Sequence, residues 1–368
     1  MSVSRVARGV CSQKRWTSSL TYTSRPLPPK SHHHAPIPDN LFPKGYAVGG
    51  VHCGVKKVQV PDLGFIISTS PHPTSAAACF TRNAFKAAPV LITQEVLDKQ
   101  SGRARALVVN SGCANAVTGK QGFTDAWAMV RETDALLTPA PGSGSSETLV
   151  MSTGVIGQNL PISKIVSAIK AKPTLGSDFK AWEAAARAFM TTDTFPKLRA
   201  RKFTVGGRNY RLAGIDKGAG MIHPDMGPPA ASKVPHATLL GCIATDAPVS
   251  PQSLQNALTY AVDRSFNSIS VDGEMSTNDT VILFANGAAH AADEKVVEID
   301  ETENYEDYLV FRDALTAFAA DLAQLVVRDG EGATKFVTVT VSVRLSFCIA
   351  FYDTHLLLKG SADLWGCP

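Results

Sequence analysis

KGAGMIHPDMGPPAASKVPHATLLGCIATDAP (Lys217–Pro248) poses the question on which the fold turns. It opens on a glycine turn, passes through a proline-rich loop, and ends in an apolar run that reads as a strand over 238–245. At the junction stands Ala237-Thr238, a small residue before a hydroxyl-bearing one. A threonine hydroxyl is a poor nucleophile unless a base lies beside it. Making the threonine the first residue of a chain supplies that base: its own α-amine, with an ordinary pKa of about 7.7–8.0. The hydroxyl can free itself by attacking the preceding carbonyl. The acyl group then moves from N to O, and water cleaves the ester. A small residue before the threonine eases the attack. Ala244-Thr245 meets the same local demands, and residue chemistry alone does not choose between the two pairs. Either threonine would also serve as a plain strand residue.

Around this junction the chain alternates short β-branched runs with helical patterns, which predicts a mixed α/β body. Strands are expected at 88–93, 104–110, 147–153, 238–245, 278–287 and 335–343. Helices are expected at 123–137, 163–172, 178–191 and 306–329, the last closed by Gly330. A further helix begins at Ser250-Pro251, where a cap residue precedes a proline whose missing N–H costs nothing. Residues 139–147, PAPGSGSSE, read as a surface loop.

The 368 residues are 44% hydrophobic and 18% charged, enough to bury a sizeable core. No window holds eighteen apolar residues without a charge, so no membrane span is expected. The net charge of +4 is uneven. Residues 1–38 carry six basic side chains and no acid, and the remainder is therefore at −2. A slightly acidic body gives no reason to expect nucleic acid. The basic, Ser/Thr-rich leader fits a mitochondrial transit peptide with a proline-rich linker, and so a matrix location. His32, His33 and His34 follow it as a flexible junction. Seven scattered cysteines, none in a C-x-x-C pair, argue against a zinc site or a disulfide scaffold.

The familiar catalytic shortcuts fail. NSGCANAVTGKQG (110–122) has six residues between Gly112 and Gly119, and Gln121 follows Lys120, so it is not a phosphate-binding P-loop. Neither G-x-S-x-G nor H-E-x-x-H occurs.

Several motifs in order carry a resemblance: NSGCANA (110–116), MSTGVIG (151–157), MTTDTFPK (190–197), KGAGMIHP (217–224), ATLLG (237–241), ATDAP (244–248) and DGEMSTND (272–279). Together they resemble the ornithine acetyltransferase, or glutamate N-acetyltransferase, family from about Gly45 to about Val341. The resemblance implies a layered α/β sandwich in which helices cover mixed sheets. It implies a precursor cut between Ala237 and Thr238 into an α chain (39–237) and a β chain (238–368) that intertwine, as a dimer of such αβ units. Thr238 then takes acetyl from N-acetylornithine and passes it to glutamate in arginine biosynthesis. Some members also accept acetyl-CoA. No metal or other cofactor is implied. Thr153 and Gly154 match the family's oxyanion pair, and the chemistry agrees: a hydroxyl and a backbone N–H at a turn can face one developing negative oxygen. Lys217 and Glu274 match substrate-contacting positions, assigned here to a carboxylate and an ammonium. Thr191 or Thr192 matches a substrate-contacting threonine.

Two departures stand out. The family runs from G-M-I-x-P-x-M directly to A-T, whereas residues 227–236 intervene here. Beyond Val341 the family continues with a segment supplying an Asn and a Ser/Thr to substrate, and residues 342–368 show no equivalent, so 341–368 read as an atypical tail. Two other readings share these residues: an N-terminal-nucleophile amidase or aminopeptidase, which gives the acyl group to water, and an inactive truncated product.

Overall fold

A computed structural model describes residues 29–139, 141–142, 144–229, 239–274 and 276–340, with the backbone of 357–359. In chain order the elements are β1 (Tyr46–Val51), β2 (Leu63–Ser68), β3 (Ser75–Thr81), α1 (Ala88–Lys99), β4 (Ala106–Cys113), α2 (Gly119–Asp134), β5 (Thr148–Val155), α3 (Ile162–Lys170) and α4 (Phe179–Phe189). There follow β6 (Lys197–Val205), β7 (Arg208–Lys217), β8 (Met226–Gly227), β9 (Leu240–Thr245), α5 (Pro251–Asp263), β10 (Ile269–Ser270), β11 (Thr280–Ala285), α6 (Tyr305–Arg328), β12 (Val337–Val339) and β13 (Leu357–Lys359). Among the described residues no helix is long and apolar enough to cross a membrane.

A mixed six-stranded sheet, ordered β6-β7-β9-β11-β3-β8, divides the interior. Its period-2 alternation feeds two cores. Cys242, Ala244, Ile282 and Phe284 face one, shared with α1–α4 and a second sheet ordered β1-β2-β4-β5. Ile243, Val281 and Leu283 face the other, filled by α5 and α6. The arrangement is the layered α/β sandwich expected. α4 starts where the Asp178 carboxylate accepts the Ala181 N–H at 3.0 Å. Trp182 of α4 is fully buried and stacks on Phe42 at 5.4 Å.

Two expectations change. APVLIT (88–93), read as a strand, is the first half of α1. Pro89 sits in its opening turn, and a short apolar run does not by itself separate a strand from a buried helix. The histidine junction is seated against the body: Lys30 donates to the Gly330 carbonyl at 3.0 Å, Arg199 to the His33 carbonyl at 3.0 Å, and the His34 ring lies 3.0 Å from Glu183.

Candidate active site

β4 and β5 end side by side. They pair in parallel from Ala106↔Thr148 to Gly112↔Gly154, and the register slips at Cys113. Gly154 has φ +128°, and a Cβ there would come 2.3 Å from the Gly112 carbonyl carbon, so the crossing demands glycine. The strand end is also clamped from β11's side of the molecule. The buried Asn278 amide donates to the carbonyls of Ala114 (2.7 Å) and Ser152 (2.8 Å). The Ser152 hydroxyl donates in turn to Asn110 Oδ1 at 2.6 Å. Thr153, between Ser152 and Gly154, is thus held by its neighbours on both sides.

β7 delivers Lys217, paired with Leu240 of β9. Lys217 is buried, and its ammonium donates to Thr153 Oγ1 at 3.3 Å. An ammonium has only donors, so Thr153 accepts there and keeps its own hydrogen for another oxygen. Burial pushes Lys217 below the ordinary lysine range, and the Lys197 charge adds to this against the pull of Asp193.

Beneath the site lies a buried ion network. Asp193 accepts the N–H of Thr191 (2.9 Å) and of Gly218 (2.8 Å), joining two walls of the cleft. The Lys197 ammonium donates to Asp193 (2.5 Å) and to Asp329 (2.7 Å). Asp329 also accepts the Thr194 N–H at 2.9 Å. Two residues on, the Glu331 N–H donates to the Ala219 carbonyl at 2.7 Å. Three chain segments therefore converge on one lysine.

These walls enclose a cleft of about 620 Å³. Thr153, Gly154, Thr191, Thr192, Lys217 and Glu274, all expected from the sequence, line it together. Ala237 and Thr238 lie outside the described residues. Leu239, directly after them, is buried, and its N–H donates to the buried Asp279. Burial raises the Asp279 carboxyl well above the usual carboxylate range. Thr245 is at the opposite end of β9, five residues past Leu240 and so roughly 16 Å along the strand. It does not line the cleft.

Lys56, Asp272, Ser276 and Glu331 also line the cleft and were not singled out from the sequence as site residues. Asp272 fixes the 221–222 turn by accepting the N–H groups of Met221 (2.6 Å) and Ile222 (2.8 Å). Glu331 carried no signal of its own, since its direction is set by the Ala219 hydrogen bond after the helix ends. Lys56 carried none, since nothing in the loop before β2 marks which lysine faces inward. Among the described residues no group of three or more His, Cys, Asp or Glu side chains is placed to hold a metal ion.

A hydroxyl held by a buried ammonium beside a tight strand-end glycine, on an α/β scaffold, is an arrangement suited to acyl transfer. The ArgJ family model matches residues 47–346. The mitochondrial arginine biosynthesis bifunctional protein ArgJ of Postia placenta is 67% identical over 330 residues, 88% of this chain and 71% of the relative. The protein of the same name from Laccaria bicolor is 68% identical over 332 residues, 89% of this chain and 70% of the relative. The crystal structure of the arginine biosynthesis bifunctional protein from Bacillus halodurans is 38% identical, with a TM-score of 0.46, over 50% of this chain and 92% of that one. The chain belongs to the ArgJ family.

Proposed function

We propose that this chain is a mitochondrial, self-processing acetyltransferase of arginine biosynthesis, moving acetyl from N-acetylornithine to glutamate through an ester on Thr238. Family membership supports the reaction class and the compartment. The observation that carries the site reading is the Lys217–Thr153 contact in a cleft that also holds Thr191, Thr192, Glu274 and Glu331.

In maturation, Thr238 Oγ bonds to the Ala237 carbonyl carbon, the C–N bond breaks, and the hydroxyl proton passes to the departing nitrogen. Water then hydrolyses the ester and leaves Thr238 with a free amine. In turnover that amine takes the hydroxyl proton as Oγ attacks the acetyl carbonyl. The α-amine of ornithine leaves with the proton, and the α-amine of glutamate later attacks the ester. Thr153 Oγ1 and the Gly154 N–H are the donors to the oxyanion in both halves. Lys217 serves the substrate carboxylate and keeps Thr153 oriented. Glu274 and Glu331 are the carboxylates available to an ammonium. Acetyl-CoA is a second donor in this reading, no metal takes part, and two αβ units form a heterotetramer.

The test is a mass measurement on purified protein. The smaller fragment should begin at Thr238 and gain one acetyl group on exposure to N-acetylornithine, then lose it to glutamate faster than to water. An intact chain, a fragment beginning at Thr245, or loss to water alone rejects the reading, the last in favour of an amidase. Thr153→Ala should lower acetyl transfer by about 100- to 1,000-fold, the usual effect of removing one oxyanion donor. Thr153→Ser keeps the hydroxyl and should stay within tenfold of the parent, measured as kcat.

A further inference from the structure

We propose that Lys56 is the acceptor-specific cation of this site, the group that receives the side-chain carboxylate of glutamate; the proposal rests on the acetyl-transfer reading above. That reading places two amino acids in turn against one nucleophile. They agree at the α-carbon and disagree at the far end, where the donor carries an ammonium and the acceptor a carboxylate. A single charged partner cannot favour both. A carboxylate that holds the donor's ammonium repels the acceptor's side chain by a comparable amount. The cleft therefore needs a cation that is not already engaged.

Lys217 is buried, donates to Thr153, and in the reading above serves the α-carboxylate that both substrates share, so it does not distinguish them. Lys56 lines the same cleft. Among the described residues no carboxylate lies within ion-pair distance of its ammonium, which donates to the Pro61 carbonyl at 3.2 Å. An ammonium has three donors, so two remain for a ligand. The side chain is half-buried and grows from a fixed base. The buried Asp62 carboxylate accepts the N–H groups of Cys53 (2.6 Å), Gly54 (3.1 Å) and Lys56 itself (2.9 Å). Burial pushes the Lys56 ammonium below its ordinary range, against the pull of Asp62 and Asp193, so an arriving anion would find it partly stripped of water. Lys56 also stands where the cleft opens into a neighbouring recess of about 590 Å³, with Gly112, Val155 and Thr191 as the other shared walls.

The two half-reactions separate the possibilities. Acetylation by N-acetylornithine and deacetylation by glutamate or by glutamine, its uncharged isostere, are timed on self-cleaved enzyme. Lys56→Met should reduce kcat/KM for glutamate at least tenfold more than it reduces acetylation. The preference for glutamate over glutamine should fall by the same factor, and Lys56→Arg should restore most of it. Equal losses in both halves, or an unchanged glutamate preference, would overturn the assignment. Lys56→Gln is read by the same ratios if the Met variant stays uncut. A parent enzyme that takes no acetyl group would show instead that the site reading itself is wrong.

Discussion

Thr238→Ala is expected to remain a single uncut chain with no measurable acetyl transfer, while melting close to the parent precursor. Two losses come from one atom, because the same Oγ is the nucleophile in maturation and in turnover. Removing the nucleophile of a covalent enzyme costs on the order of 10⁴- to 10⁶-fold, and what remains reflects the oxyanion donors and substrate binding alone. Here even that remnant needs a free amine, which the uncut variant lacks. Thr238→Ser should keep both steps at reduced rates, since it retains the hydroxyl and loses only the methyl group that limits rotation at the side chain. Thr245→Ala is the internal control. Thr245 lies at the far end of β9, its hydroxyl accepts the Ala247 N–H at 3.2 Å, and its carbonyl accepts the Tyr46 hydroxyl at 3.0 Å. Its replacement should cost some stability and leave processing intact. A denaturing gel with fragment sequencing reads all three. If Thr238→Ala is cut at residue 238, the proposed chemistry is wrong.

The sequence carried some of this more clearly than the rest, for physical reasons. β11 (TVILFA) opens on three β-branched residues, and α5 announces its start with Ser250-Pro251, so local signals sufficed. Ser250 nevertheless does not cap the helix N–H groups; its hydroxyl donates to Asp300. β1 (YAVGGV) and β3 (SAAACFT) are strands with weak strand propensity. Packing against α4 and α5 decides them, and no local pattern records that packing. The β6–β7 hairpin is different. Gly206-Gly207, both at positive φ, join two runs in register, a hairpin signal that is local and legible. The site followed the same division. Thr153, Gly154, Lys217 and the 191–192 pair were found through ordered motifs and meet in one cleft. Lys56 and Glu331 come from loops whose side-chain direction depends on tertiary contacts, the Asp62 clamp in one case and the Ala219 hydrogen bond in the other.

Lys197→Met should produce the largest loss of stability among single changes near the site, about 3–5 kcal/mol, read as a lowered midpoint in denaturant. Methionine fills much of the space but removes the ammonium that bridges two buried carboxylates, leaving Asp329 only Lys30 at 3.9 Å and Asp193 only the pull of Lys217. Lys197, Asp193 and Asp329 are fully enclosed, so no solvent replaces the lost charge. The pH dependence identifies the mechanism. Burial alone would raise Asp193, but the Lys197 and Lys217 ammoniums outweigh it and hold the carboxyl below its ordinary range. Burial would likewise lower Lys197, and the two carboxylates outweigh it and raise the ammonium. A depressed carboxyl contributes stability above its unfolded pKa of about 3.9, and that contribution is lost as pH falls toward the folded value. A raised ammonium contributes below its unfolded pKa of about 10.4, and that is lost as pH rises through the folded value. Both contributions are present between about pH 5 and pH 9, where the gap between parent and variant should be widest. Below about pH 4 the gap should narrow, because the parent loses the Asp193 contribution while the variant, left with Lys217 alone acting on Asp193, has less of it to lose. Asp193→Asn in the Lys197→Met background should recover part of the deficit by removing a stranded charge. A gap that stays constant from pH 3 to pH 7, with no recovery in the double variant, would mean that Lys197 acts through its volume and not its charge.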